Sequence, residues 1–178
     1  MKKNFILATA IVACVAMTAC GNKSEANANG ADSTAVEATA AESEQNVIQD
    51  IHKIFSVVVP NGWTGEATRY GACKVNLDKK NDAGKSGVYV HVNAVEGKEF
   101  DENNIGLYQI TAEHKVAEEK IGDYNWKIYN REEFVLAVAE LPAGGTFNYL
   151  SVEGTVNPEN GGSIDDLKEA LKGVKMLR

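Results

Sequence analysis

The side chains that could do chemistry in this chain are few and scattered. His52, His91 and His114 fall in different predicted elements, and none has a second histidine four residues away on a helix. That spacing puts two imidazoles on one helical face for zinc, so no metal site is expected. Cys73 and His91 would form a nucleophile and its base if their strands were adjacent, because the base must reach the thiol through a hydrogen bond. A thiol packed on a strand as a small hydrophobe accounts for Cys73 more simply. Gly84-Lys85-Ser86 matches the end of a phosphate-binding loop, but Lys79 stands where the leading glycine belongs. Asp78, Asp82 and Gly84 suggest a calcium loop, yet Lys80 occupies a ligand position and Tyr89 replaces the bidentate glutamate. Glu118-Glu119 and Glu132-Glu133 are sequence neighbours, which on a strand face opposite ways and form no acid–base dyad. No catalytic residue and no cofactor is expected.

The aromatic residues carry more information. Trp63, Tyr70, Tyr124, Trp126, Tyr129 and Tyr149 are the candidates for a ligand cleft, since aromatic walls with few polar groups are what small-molecule sites use. The competing reading makes the two tryptophans core anchors beneath helices.

These residues belong to a chain of 178 residues with 44% hydrophobic and 24% charged side chains, which is ordinary globular composition. Its formal charge of -7 excludes nucleic acid as an expected partner, because phosphate neutralisation requires a basic face. The first residues have another logic. Lys2 and Lys3 precede an apolar run, Phe5–Met17, of about 13 residues, shorter than the ~20 a spanning helix requires. Met17-Thr18-Ala19-Cys20-Gly21 then resembles the lipobox of bacterial lipoproteins, with Met17 in place of the usual Leu. The resemblance implies that residues 1–19 are a signal peptide and that Cys20 becomes a lipidated N-terminus. Asn22 is not the Asp that retains many lipoproteins at the inner membrane, which implies outer-membrane delivery, facing either the periplasm or the outside. Removing Lys2 and Lys3 leaves the remainder more acidic still, so the lipid rather than surface charge must supply the anchoring.

Residues 20–46 read as the lipidated cysteine and a disordered linker of Ala, Ser, Thr, Asn and Glu, with Val36 its one sizeable apolar residue. As a coil it would span about 30 Å. Regular patterning begins near Val47 and defines a domain over 47–178. Alternation predicts strands over Ile54–Val59, Ala72–Leu77, Gly87–Val95, Val116–Ile121, Tyr124–Glu133, Phe134–Leu141 and Thr146–Val156. Asp101 predicts a cap for a helix over Glu102–His114, with Ile105, Tyr108 and Ala112 on one face. Ser163 followed by Asp166 predicts a capping box for a C-terminal helix with Ile164, Leu167, Leu171 and Val174 as its apolar stripe. The fold class is therefore α+β: a central antiparallel sheet flanked by helices.

The opening Phe55-Ser56-Val57-Val58-Val59-Pro60-Asn61-Gly62-Trp63, and the close through Tyr149–Val156, Ile164–Val174 and Lys175-Met176-Leu177, resemble the PsbP-like family. The resemblance covers about residues 52–178. It implies an α/β/α sandwich, and a binding or assembly role rather than a shared catalytic site. The function expected from all of this is a membrane-anchored envelope lipoprotein acting as a non-catalytic binding or assembly module with an envelope protein partner. The alternatives are a small-ligand carrier with an aromatic cleft and an envelope hydrolase using Cys73 and His91.

Overall fold

Alternation with a period of two builds most of this domain. The computed structural model describes residues 46–68 and 74–178. Residues 1–19, expected to be a signal peptide, Cys20 and the rest of the expected linker to residue 45, Tyr70 and Cys73 lie outside the described residues. The strands are β1 (Val47–Gln49), β2 (Phe55–Val58), β3 (Trp63–Ala67), β4 (Lys74–Lys80), β5 (Ser86–Glu96), β6 (Lys115–Ile121), β7 (Tyr124–Arg131), β8 (Phe134–Glu140), β9 (Phe147–Val156) and β10 (Val174–Met176). One α-helix, α1 (Ile164–Lys172), lies between β9 and β10.

The strands form a 7-stranded antiparallel sheet in the order β3-β4-β5-β9-β8-β7-β6 and a 3-stranded sheet in the order β1-β2-β10. In the large sheet Val90 pairs with Gly154 and Val92 with Val152, and on β8 Ala137 pairs with Val152. Even-numbered valines of β5, with Val75, Leu77, Trp126, Ile128, Ala137 and Leu150, therefore share one face. That face is buried in one core with Leu167, Ala170 and Leu171 of α1 and Phe55 and Val57 of β2. On the other face Tyr129, Leu136 and Val138 lie under Ile110, Phe100, Ile105 and Leu107 of the segment between β5 and β6.

The helix begins where the sequence places it. Ser163 accepts from the Asp166 amide at 3.2 Å, and the Asp166 carboxylate accepts from the Ser163 amide at 3.0 Å. It ends at Lys172, two residues before Val174, which is the first residue of β10. Gly173 follows as the cap, and a side chain is excluded there: a Cβ would stand 2.5 Å from the Val58 carbonyl oxygen of β2.

The α+β expectation of a PsbP-like α/β/α sandwich with helices flanking the sheet is overturned. The described residues are mostly β, with two sheets, one helix and three single-turn 3-10 segments. Where a helix is predicted over Glu102–His114, Asp101 caps a single 3-10 turn, Glu102–Asn104. The chain then turns left-handed at Gly106 (φ 67), Tyr108 (φ 50) and Gln109 (φ 56), which no right-handed helix accommodates. Strands β1, β3 and β10 lack sequence predictions. Trp63–Ala67 does alternate, with Trp63 buried and Thr64 and Glu66 exposed, but it follows directly on the Pro60-Asn61-Gly62 turn.

Candidate functional site

The turn joining β1 to β2 is organised by one carboxylate. Asp50 is 2% exposed and accepts from the amides of His52 (2.8 Å), Ile54 and Phe55 (2.9 Å). Charged acceptors make the stronger class of such bonds, so this turn is fixed rather than loose. It sets the positions of His52 and Ile54. Across the small sheet, the Leu177 amide donates to the Ile54 carbonyl at 2.8 Å, holding the chain after β10 against the same turn. The Met176 amide, on the outer edge of β10, donates to the Tyr124 hydroxyl oxygen at 2.9 Å, which ties β10 to the start of β7.

Between these pieces and the β8–β9 connection lies a cleft of about 1020 Å³. His52 and Ile54 line it from the β1–β2 turn, Tyr124 from β7, and Met176 and Arg178 from the end of the small sheet. Leu141, residues 142–146 and Phe147 form the remaining wall. Its volume lies at the upper end of the range for small-molecule sites, and its walls are mainly apolar with a few polar groups, the composition such sites have. Tyr124 also touches Trp126 edge-on, with ring centroids 6.2 Å apart. Trp126 is 0% exposed and lies beneath the cleft wall rather than in it.

The aromatic set does not line one cleft. Tyr124 is in the cleft and Trp126 behind it; Trp63, 8% exposed, belongs to the same core, on edge strand β3. Tyr129 and Tyr149 lie on the opposite face of the large sheet, each packed near Phe100 at 6.1 and 5.8 Å between centroids. Burial, and then the neighbouring Glu102 carboxylate, push the Tyr129 phenol above its ordinary range. Tyr149 lines a separate cavity of about 250 Å³ with Asn93, Ser151 and Glu153. Both tryptophans are core residues, though among the described residues one helix and the small sheet, not the helices of the competing reading, cover that face of the large sheet. Tyr70 lies outside the described residues.

His91 also belongs to that opposite face. Its Nδ1 is 2.6 Å from the Asn76 Oδ1, and its ring meets Tyr89 edge-on at 5.0 Å. Burial, then the Lys74 ammonium, lower its pKa, with Glu153 pulling the other way. Lys74 is paired with Glu153 at 3.0 Å. Cys73 lies outside the described residues. Among the described residues no group of three or more His, Cys, Asp or Glu side chains is placed to hold a metal ion. No helix of the described residues is long and apolar enough to cross a membrane.

Sequence reasoning weighed His52 only as a metal ligand and did not reach Ile54, Phe147, Met176 and Arg178 as site residues. Gly144-Gly145, between the strands expected over Phe134–Leu141 and Thr146–Val156, has the composition of a turn and is part of one wall of the cleft.

The chain matches no known protein-family model and no curated protein. A solved structure from Bacteroides thetaiotaomicron VPI-5482 is similar at 14% identity with a TM-score of 0.45. The similarity covers 76% of this chain and 50% of that one, so this chain spans about half its length.

Proposed function

We propose that this chain is an envelope lipoprotein, anchored through lipid on Cys20, whose folded domain is a ligand-binding module. The anchor reading is carried by the ordered run of Lys2-Lys3, the apolar stretch and Met17-Thr18-Ala19-Cys20-Gly21. The binding reading is carried by one observation, the cleft of about 1020 Å³ between the small sheet and the β8–β9 connection. That cleft moves the ligand carrier ahead of the protein-assembly module. The domain would sit at the outer membrane, facing the periplasm or the outside, with its ligand exchanging near the lipid surface.

Two experiments test the two halves. Cys20→Ser is expected to leave an uncleaved precursor or a mislocalised form, and normal membrane fractionation of that variant would remove the anchor reading. For the cleft, intrinsic tryptophan emission is followed while the lipoprotein in phosphatidylcholine discs is titrated with organic extract of its own envelope. Trp126 reports through its contact with Tyr124. A saturable change that Leu141→Arg abolishes, without lowering the melting temperature, supports the module. A flat titration, with a reproducible partner recovered by in-cell crosslinking and lost on deleting 47–178, returns the reading to an assembly module.

A further inference from the structure

We infer that the cleft takes a single-chain amphiphile with one carboxylate head, of the free fatty-acid type, and that Arg178 receives the head. The inference rests on the cleft being the binding site proposed above and names its occupant.

The first reason is charge. The chain carries a formal charge of -7, yet among the described residues no Asp or Glu lines this cleft. Its ionisable lining side chains are His52, Tyr124 and Arg178. Asp123 and Glu140 precede the lining residues Tyr124 and Leu141 in sequence but do not line the cleft themselves, and Asp50, two residues before His52, is 2% exposed with both oxygens occupied by backbone amides. A cleft with a cation in an acidic protein offers an anion a local potential opposite to that of the rest of the surface.

The second reason is hydrogen-bonding balance. The Tyr124 oxygen already accepts from Met176, which leaves the phenolic hydrogen as a donor. Arg178 has five donors and no acceptor. Among the lining side chains, donors therefore outnumber acceptors. A neutral apolar ligand would cover those donors without satisfying them, at a cost, and a cation would be repelled. A carboxylate accepts from several at once and pairs with guanidinium in a bidentate fashion.

The third reason is that the rest of the lining is apolar. Ile54, Leu141, Phe147 and Met176 supply hydrocarbon, which a bare carboxylate or inorganic anion would leave uncovered. An alkyl chain covers it.

The test uses the whole lipoprotein in phosphatidylcholine discs, with affinities from equilibrium dialysis against decanoate, decanol and decyltrimethylammonium, each corrected for uptake by empty discs. Decanoate is expected to bind about tenfold or more tightly than decanol, with the cation weakest. Arg178→Gln is expected to remove most of the decanoate advantage while leaving decanol unchanged. Equal affinity for decanoate and decanol, or a decanoate advantage that survives Arg178→Gln, overturns the head-group assignment while leaving the cleft as a binding site. No binding of any of the three beyond empty discs overturns the binding-site reading itself. Loss of decanoate binding when phosphatidylglycerol replaces part of the disc lipid overturns the choice of a free acid, because the recognised anion is then a membrane headgroup.

Discussion

Removing the Asp50 carboxylate should be among the costliest single changes in this domain, and Asp50→Ala measures it. Three amides depend on that carboxylate: those of His52, Ile54 and Phe55. Hydrogen bonds to a charged partner contribute about 1.5–3 kcal/mol each, so the uncorrected sum runs to several kcal/mol. Two corrections reduce it. The His52 amide belongs to an exposed turn and regains water, whereas Ile54 and Phe55, 7% and 0% exposed, keep their amides dry. The variant also no longer confines a carboxylate at 2% exposure, which returns part of its desolvation cost. The expected net loss is about 3–4 kcal/mol for Asp50→Ala, a large fraction of the stability of a small domain. Asp50→Asn keeps one acceptor oxygen for the two dry amides but sets a side-chain NH₂ against the His52 amide, so about 1–2 kcal/mol is expected. Urea unfolding followed by tryptophan emission and far-ultraviolet dichroism gives both values, provided the slope is unchanged. An Ala variant within about 0.5 kcal/mol of the parent would refute the reasoning, since the buried amides would then have found other partners. Equal losses for Asn and Ala would show that the charge matters and the acceptor geometry does not.

Two neighbouring glycines separate close approach from backbone conformation. A Cβ on Gly162 would overlap the Gly87 carbonyl oxygen, backbone against backbone, so Gly162→Ala should cost about 2–3 kcal/mol in urea unfolding. Gly161 has nothing within 4 Å of its Cβ position and only its left-handed φ of 80 to defend, so Gly161→Ala should cost about 1–2 kcal/mol. A reversed order would show that the backbones of β5 and of the 3-10 turn at Pro158–Asn160 can separate freely. His91 supplies a pH signature. Its folded pKa is lowered by burial and by Lys74 from the ordinary 6.5, so the unfolded chain binds that proton more tightly. The resulting stability is present above the unfolded value and is lost as pH falls through the folded one. Urea midpoints at about pH 7.5 and about pH 5 should therefore differ less in His91→Gln than in the parent, and identical pH slopes would remove His91 from the account.

Where strands are long and one face is buried, the sequence carries the fold. β5 places Val88, Val90 and Val92 on the core side and Tyr89 and His91 on the other, an alternation visible in the residues alone. The Ser163–Asp166 capping box is equally visible, because both partners are local. β1 and β10 have 3 residues each, too few for a period to show, and they are strands only because β2 lies between them. The helix expected over Glu102–His114 fails for the opposite reason. Ile105, Tyr108 and Ala112 have helical spacing, but Gly106, Tyr108 and Gln109 adopt left-handed backbone, and Tyr108 stacks on Phe134 at 4.6 Å instead. Apolar residues that anchor an irregular segment to a sheet need no period, so periodicity cannot tell them from a helix.

The same distinction explains the site. That Tyr124 and Trp126 face away from Tyr129 follows from strand parity, since one strand carries all three. That Tyr124 meets Met176 does not follow from any local rule. The cleft is enclosed by residues near 52, 124, 144 and 176, which no spacing in the sequence relates. They meet because β2 is paired by strands from both sides of the chain, β1 before it and β10 near the C-terminal end. The small sheet therefore fixes the cleft, and the Asp50 turn fixes its near wall. Loss of Asp50 should consequently weaken ligand binding even where the protein remains folded, by freeing His52 and Ile54. In contrast, Ser163→Ala, which frays the start of α1 and whose residue lines none of the cleft, should lower stability by about 1 kcal/mol and leave decanoate affinity unchanged. Parallel losses of affinity in both variants would mean that the cleft tracks global stability, and that the turn has no separate part in shaping it.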